Sequence, residues 1–256
     1  LVIIFDADKI NKIKLDNIMK RIYDFSRNPA KRNYTVSDLK ELKTSPKKLT
    51  MSNPANEEEI KACVEAGIDL FVIGPRDIEM VRSITPSHFT GVGSKWAQFG
   101  SNDEIIADAF NSMMKGADMY YTLRSFDVME KMAKEGIPVH SHIGLIPTFS
   151  HYCGGLRGWG RNADEAIQIF NTLKRMEDVG VFAVEAECIA EEVLEAINYK
   201  TSVVTFSLGA GMAGDVIMSF VADLCGDLSE EDKPPKHAHA FGDIKRLRKQ
   251  INKERI

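Results

Sequence analysis

Long apolar runs are missing from this sequence: none approaches the ~18 residues that a transmembrane helix requires. Cysteine is sparse. Cys63, Cys153, Cys188 and Cys225 stand far apart with no C-x-x-C spacing, which excludes a disulfide framework and a zinc knuckle. A reducing, cytoplasmic compartment without membrane association is therefore expected. Aromatic residues make up only 8% of the chain and do not interleave with its basic clusters, so no base-stacking platform for nucleic acid is expected. Repeats and low-complexity segments are absent as well. What remains is an ordinary globular composition, 44% apolar and 27% charged over 256 residues, a length that one α/β barrel of roughly 250 residues fills.

The net charge of -4 conceals an asymmetry. Residues 1–50 carry 12 basic and 6 acidic side chains, and residues 233–256 carry 8 and 2, so each end is +6 and the middle is -16. At the C-terminal end the basic residues alternate with Ile244, Leu247 and Ile251 at helical spacing. Both ends read as solvated amphipathic helices.

Between the ends, apolar segments rich in β-branched residues recur: Lys48–Ser52, Leu70–Gly74, His88–Gly93, Met119–Leu123, Ile137–His142, Phe182–Glu187 and Val203–Leu208. Helical periodicity fills the gaps, over Glu57–Ala66, Asn102–Lys115, Phe126–Lys134, Ala163–Asp178 and Ala190–Asn198. Four of these helical segments end in glycine, at 67, 116, 136 and 180, as left-handed caps do. Alternating strands and helices predict a parallel sheet with crossover helices. Seven such strands, with an eighth expected near Val221–Leu224, predict an α/β fold of the (β/α)8 TIM-barrel type with N- and C-terminal helical extensions. The expected divisions are 1–34 for the N-terminal extension, 35–232 for the barrel and 233–256 for a basic helix packed on the barrel or a neighbour. The last boundary falls at Lys233-Pro234-Pro235-Lys236.

A barrel of this type carries its active site at the carboxyl ends of its strands. Those ends offer Arg76 and Asp77, Ser94 and Lys95, Tyr121 and Arg124, His140 and His142, Glu185 and Glu187, and the glycines after Ser207. A glutamate inside an apolar strand needs a partner, which singles out Glu187. Gly209 and Gly211 suit either a cradled phosphate or simple relief of crowding.

Four stretches carry a resemblance. SHIGLIPT (141–148), GGLRGWGR (154–161), AECIA (186–190) and SLGAG (207–211) followed by Asp215 are similar to GHLGLTPQ, GGYKVQGR, LECVP and GIGAG of the ketopantoate hydroxymethyltransferase family, in the phosphoenolpyruvate mutase/isocitrate lyase superfamily. TVSDLKELK (35–43) and EAGIDLFVIG (65–74) add to it, so the resemblance spans about residues 35–250. It implies a barrel enzyme of pantothenate biosynthesis that acts on a small 2-oxo acid through an enolate, with Mg²⁺ and methylenetetrahydrofolate as one-carbon donor. It also implies a homo-oligomer. On the matching positions it implies Glu187 as the base, His142 as its relay or as a substrate hydrogen-bond partner, and Asp215 as a supporting residue.

The chain departs from the family at the metal. Pro75 stands where VGDS has its metal-binding Asp, Ser94 falls at the second acidic position, and Tyr121 and Leu123 replace the Lys and the carboxylate of KIEGG. Asp77, two residues beyond Pro75, is the carboxylate available as a substitute metal ligand. Arg76, Lys95 and Arg124 are cations that could hold a substrate carboxylate instead, arginine with two parallel bonds. Three readings stay open: the family reaction, a related lyase or transferase on another carboxylate with arginines in place of the metal, and an inactive barrel serving as a scaffold or regulatory subunit.

Overall fold

The structure, a computed structural model, describes residues 19–227 and 238–254. Its centre is a closed barrel of eight parallel strands in the order β3 (Leu49–Ser52), β4 (Leu70–Ile73), β5 (Phe89–Gly93), β6 (Met119–Tyr121), β7 (Val139–Gly144), β8 (Ala183–Glu187), β9 (Val204–Leu208) and β10 (Val216–Met218), with β10 returning to β3. The crossovers include α2 (Glu57–Glu65), α3 (Ile78–Ile84), α4 (Asn102–Met114), α5 (Phe126–Lys134), α6 (Ala163–Asp178) and α7 (Glu191–Asn198), and α1 (Val36–Glu41) precedes the first barrel strand.

Local chemistry sets these boundaries. The Thr35 and Asp38 side chains cap α1 reciprocally, and Ser101 and Glu104 do the same for α4, satisfying amide groups that a helix start leaves open. Gly67, at φ +78, lets the amide of Ile68 reach back to the Cys63 carbonyl and closes α2. Strand alternation divides the core in two. Phe71, Ile73, Val92, Val139, Ile143, Val184 and Ala186 face the helices, while Leu70, Phe89, Met119, Ala183, Val204, Phe206 and Leu208 fill the barrel.

Three expectations are corrected. The eighth strand is Val216–Met218, paired with Phe206–Leu208 on one side and Leu49–Met51 on the other. Three residues are too few to show a period, and the expected segment, 221–224, lies in a short helix, α8 (Val221–Cys225). Residues 20–32 are an antiparallel hairpin, β1 (Lys20–Tyr23) and β2 (Pro29–Arg32), rather than a helix. Turn chemistry decides there: the Asp24 carboxylate accepts from the Asn28 amide at 2.8 Å and Arg27 adopts φ +64. Strand β7 runs to Gly144 rather than stopping at His142, so His142 sits inside the strand. Residues 1–18 and the proposed boundary at 233–236 lie outside the described residues. The C-terminal helix is present as α9 (Ile244–Glu254). Among the described residues, no helix is long and apolar enough to cross a membrane.

The barrel's amino-terminal end is closed by charge. Asp118, before β6, accepts from Arg32 and Arg82, each at 2.7 Å. Its carboxyl-terminal end is open.

Candidate active site

Strands β7 and β8 pair with His142 beside Glu185 and Gly144 beside Glu187. The period of two turns His140, His142, Glu185 and Glu187 toward the barrel axis, because their neighbours Val139, Ile143, Val184 and Ala186 face the helices. The result is an alternation of imidazole and carboxylate. His142 Nδ1 lies 3.0 Å from Glu185 Oε2, and His142 Nε2 lies 3.3 Å from Glu187 Oε2. Nε2 also donates to the Leu145 carbonyl at 2.7 Å, and the Tyr121 hydroxyl lies 3.2 Å from Nδ1. Gly144 makes this packing possible. It holds φ +86, and a Cβ there would stand 2.3 Å from the Glu187 carbonyl oxygen.

The electrostatics follow from burial and partners. Burial alone would push His142 down, but hydrogen bonds from its ring to Glu185 and Glu187, with their charges, pull it up to about 9. It is therefore an imidazolium at neutral pH, donating from both nitrogens. Burial opposes the charge of Glu185, yet the His142 hydrogen bond and the nearby imidazoles hold it below the ordinary carboxylate range. His140 behaves oppositely. It is fully buried, burial pushes it down to about 4, and it stays neutral. Neither of its ring nitrogens has a hydrogen-bond partner, and Nε2 lies 3.8 Å from Glu185 Oε1. Its ring packs edge-on against Tyr121 and Phe206. Burial, then the charges of Glu185 and Glu187, push the Tyr121 phenol up, so it keeps its proton.

Above this alternation opens a cavity of about 360 Å³, lined by Asn53, Asp77, Ser94, Tyr121, Glu185 and Met218 among others. Of the residues proposed from sequence, the structure brings Glu187, His142 and Tyr121 together, and puts Ser94 and Asp77 on the cavity wall. Glu187 itself is not part of that wall; Glu185 is. Arg76 and Lys95 are exposed and outside the lining, and Arg124 donates its Nη2 to the Phe99 carbonyl. Among the described residues no lysine or arginine lines the cavity, so the expected replacement of a metal by arginine is not what the geometry provides.

Gly209 lines a separate cavity of about 190 Å³ beside α8. Gly211 is a packing residue: its carbonyl accepts from Ser207 and the Glu191 carboxylate occupies the space of its missing side chain. Asp215 precedes β10 and so sits at the amino-terminal end, away from the mouth. There it binds Lys43 at 3.2 Å, Asn198 at 3.0 Å and the Thr205 amide at 2.8 Å, a buried network that fixes strand ends and leaves nothing for substrate. His140 and Glu185 were named among the strand ends without a role, and Asn53 was not named. The parallel spacing His140-x-His142 and Glu185-x-Glu187 on consecutive strands was the available signal for the first two.

The residues present do not fit the divalent cation that the resemblance implies. Its acidic positions hold Pro75, Ser94 and Leu123, which supply no carboxylate. Glu185 and Glu187 are engaged by His142, at 3.0 and 3.3 Å. Among the described residues no group of three His, Cys, Asp or Glu side chains is arranged to hold a metal ion.

The profile of the ketopantoate hydroxymethyltransferase family matches residues 100–253. A 3-methyl-2-oxobutanoate hydroxymethyltransferase of Anaeromyxobacter sp. (strain Fw109-5) is 24% identical over 249 residues, covering 86% of this chain and 81% of the relative. Among solved structures, oxaloacetate acetylhydrolase superposes with a TM-score of 0.54 at 8% identity, over 85% of this chain and 84% of that one. A 2,3-dimethylmalate lyase, described as a PEP mutase/isocitrate lyase superfamily member, superposes at 0.50 with 11% identity, over 72% and 80%. These structural likenesses concern the fold; the profile covers more than half of the sequence, including strands β7 to β10 and the His142–Glu187 pair, and the chain belongs to the ketopantoate hydroxymethyltransferase family.

Proposed function

We propose that this protein is an enzyme that makes or breaks a C–C bond next to the carbonyl of a small 2-oxo acid, through an enolate formed at the carboxyl end of the barrel. The family membership and the name of the relative support the reaction class. The observation that carries the reading to this site is His142 held between Glu185 and Glu187 at the edge of the cavity.

Enolisation needs a base beside the C3 hydrogen and a donor for the developing oxyanion. The imidazolium holds Glu185 below the ordinary carboxylate range and so ionised, and an ionised carboxylate can take a proton. The cavity falls within the usual size of small-molecule sites. In this reading the electrophile is a one-carbon unit at the formaldehyde level, delivered by the methylenetetrahydrofolate that the family implies, and the active species is a homo-oligomer.

Deuterium exchange at C3 of 3-methyl-2-oxobutanoate, followed by proton NMR in D₂O, tests the half-reaction without folate. The native protein is expected to exchange this hydrogen, and His142→Gln to slow exchange by about 10²-fold, the usual scale of a lost acid–base contribution. No exchange by the native protein would exclude this substrate's half-reaction and leave either another carboxylate or a barrel that acts as a scaffold.

A further inference from the structure

We infer that enolisation in this mouth proceeds without a divalent cation: Glu185 takes the C3 proton, and the Tyr121 phenol donates to the oxygen that becomes the enolate. The inference rests on the function proposed above and assigns its chemistry to two residues that line the cavity.

The family's metal-binding acids are replaced by Pro75, Ser94 and Leu123, and Tyr121 stands at the position of its substrate-binding lysine. The same mouth holds a different charged group, the imidazolium of His142 with its flanking glutamates. His142 is 4% exposed and is not part of the cavity wall, so its charge acts through its neighbours. Nδ1 lies 3.0 Å from Glu185 Oε2 and 3.2 Å from the Tyr121 oxygen. Where Nδ1 carries a proton, as it does in the imidazolium, Tyr121 is the acceptor there. Its single proton has no other acceptor among the described residues and is left for a ligand in the cavity. The metal's task of stabilising an oxyanion thus passes to a phenol polarised by an imidazolium.

Glu185 lines the cavity, and Glu187 does not. Its Oε2 accepts from His142, and its Oε1 lies 3.8 Å from Nε2 of His140. In the Nδ1–H tautomer the lone pair of His140 sits on Nε2, the nitrogen that faces Glu185, and neither ring nitrogen is otherwise engaged. A carboxylic acid formed at Glu185 therefore finds an acceptor beside it once that short gap closes. His140 is a positioning residue for the protonated base.

The step balances within the protein and its substrate. The C3–H bond breaks and its proton goes to Glu185. The electron pair forms the C2–C3 double bond, and the carbonyl pair moves to the oxygen that Tyr121 contacts. The Tyr121 O–H bond stays intact. Reversal in D₂O returns a deuteron from Glu185 to C3, with no change of oxidation state and no co-reactant.

The test measures C3 exchange in the intact protein in excess EDTA and again with added Mg²⁺, for the native chain, Glu185→Gln and Tyr121→Phe. Mn²⁺ binding is read in parallel by electron paramagnetic resonance. Exchange is expected to be the same with EDTA and with Mg²⁺. It should fall about 10²-fold in Glu185→Gln and about 10²-fold in Tyr121→Phe, the scale of one lost base or one oxyanion donor. Tyr121→Phe preserves shape, so its circular dichroism and melting curve control for folding if Glu185→Gln misfolds. Exchange that EDTA abolishes and Mg²⁺ restores, with bound Mn²⁺ seen in the spectrum, would overturn the inference and leave the proposed function standing. So would metal-independent exchange that survives both substitutions. A native chain that exchanges nothing with or without Mg²⁺ removes the proposed function for this substrate, and this assignment with it.

Discussion

His142 shows what two inward glutamates on a neighbouring strand do to one imidazole. Its neighbours are Glu185 and Glu187 from β8, Tyr121 from β6 and His140 on its own strand. Its value in the fold, about 9, lies above the ordinary 6.5, so its charged interactions stabilise the fold fully below about pH 6.5 and are lost as pH rises toward 9. The difference corresponds to stability on the order of 3 kcal/mol. Imidazole NMR should show one buried histidine, His142, titrating near 9 and two, His88 and His140, near 4. Two buried histidines titrating together near 6.5 would contradict the arrangement. C3 exchange should decline over the same alkaline range, because deprotonated His142 no longer donates to both partners. Gly144 is the second residue on which the mouth depends. Gly144→Ala places a methyl against the Glu187 carbonyl in a left-handed backbone, and should cost about 2 kcal/mol or more in thermal unfolding.

Strands and their ends explain why one predicted residue belongs to the fold rather than to the site. Asp215 follows the glycine-rich motif closely, which suggested a role with substrate, yet the chain turns between Gly209 and Gly214 and begins β10 at the opposite end of the barrel. Asp215→Asn leaves Lys43 buried without its counter-charge, and should destabilise the protein by about 3–5 kcal/mol in urea unfolding while C3 exchange by the folded fraction is unchanged. Loss of exchange in folded Asp215→Asn would restore the residue to the site. The elements themselves were legible wherever they were long. Helices α5 and α6 span the residues their periodicity indicates, and the starts of α2 and α4 follow from Asn56 and Ser101 caps. The hairpin at 20–32 was not, because an Asp–Asn turn with a left-handed Arg27 outweighs a basic-apolar rhythm that either structure accommodates.

The whole molecule separates a charged, closed base from a reactive mouth. Asp118 with Arg32 and Arg82, and Asp215 with Lys43, hold the amino-terminal ends of the strands, and His142 with its glutamates occupies the other end. Sites with no shared partner should behave independently. The double variant Asp215→Asn/Tyr121→Phe should therefore show a loss of stability equal to the sum of the single losses within about 0.5 kcal/mol. A larger coupling in chemical denaturation would mean that the barrel transmits strain from base to mouth.

Alternation of apolar strands with capped helices, read along the chain, was enough to determine an eight-stranded α/β barrel, and the motifs around His142 and Glu187 were enough to determine its family. Both are local signals, written in periodicity and in short runs of residues. Which side chains share the mouth was decided only in three dimensions. Register places His142 beside Glu185, and the closing of the ring brings Tyr121 of β6 to the same nitrogen. Exposure of Arg76 and Lys95, and the turn of Arg124 toward Phe99, remove the cations that the sequence offered to a carboxylate. A strand's order of residues specifies which face each side chain takes, but the distance between faces on different strands depends on register and closure, which no single segment contains.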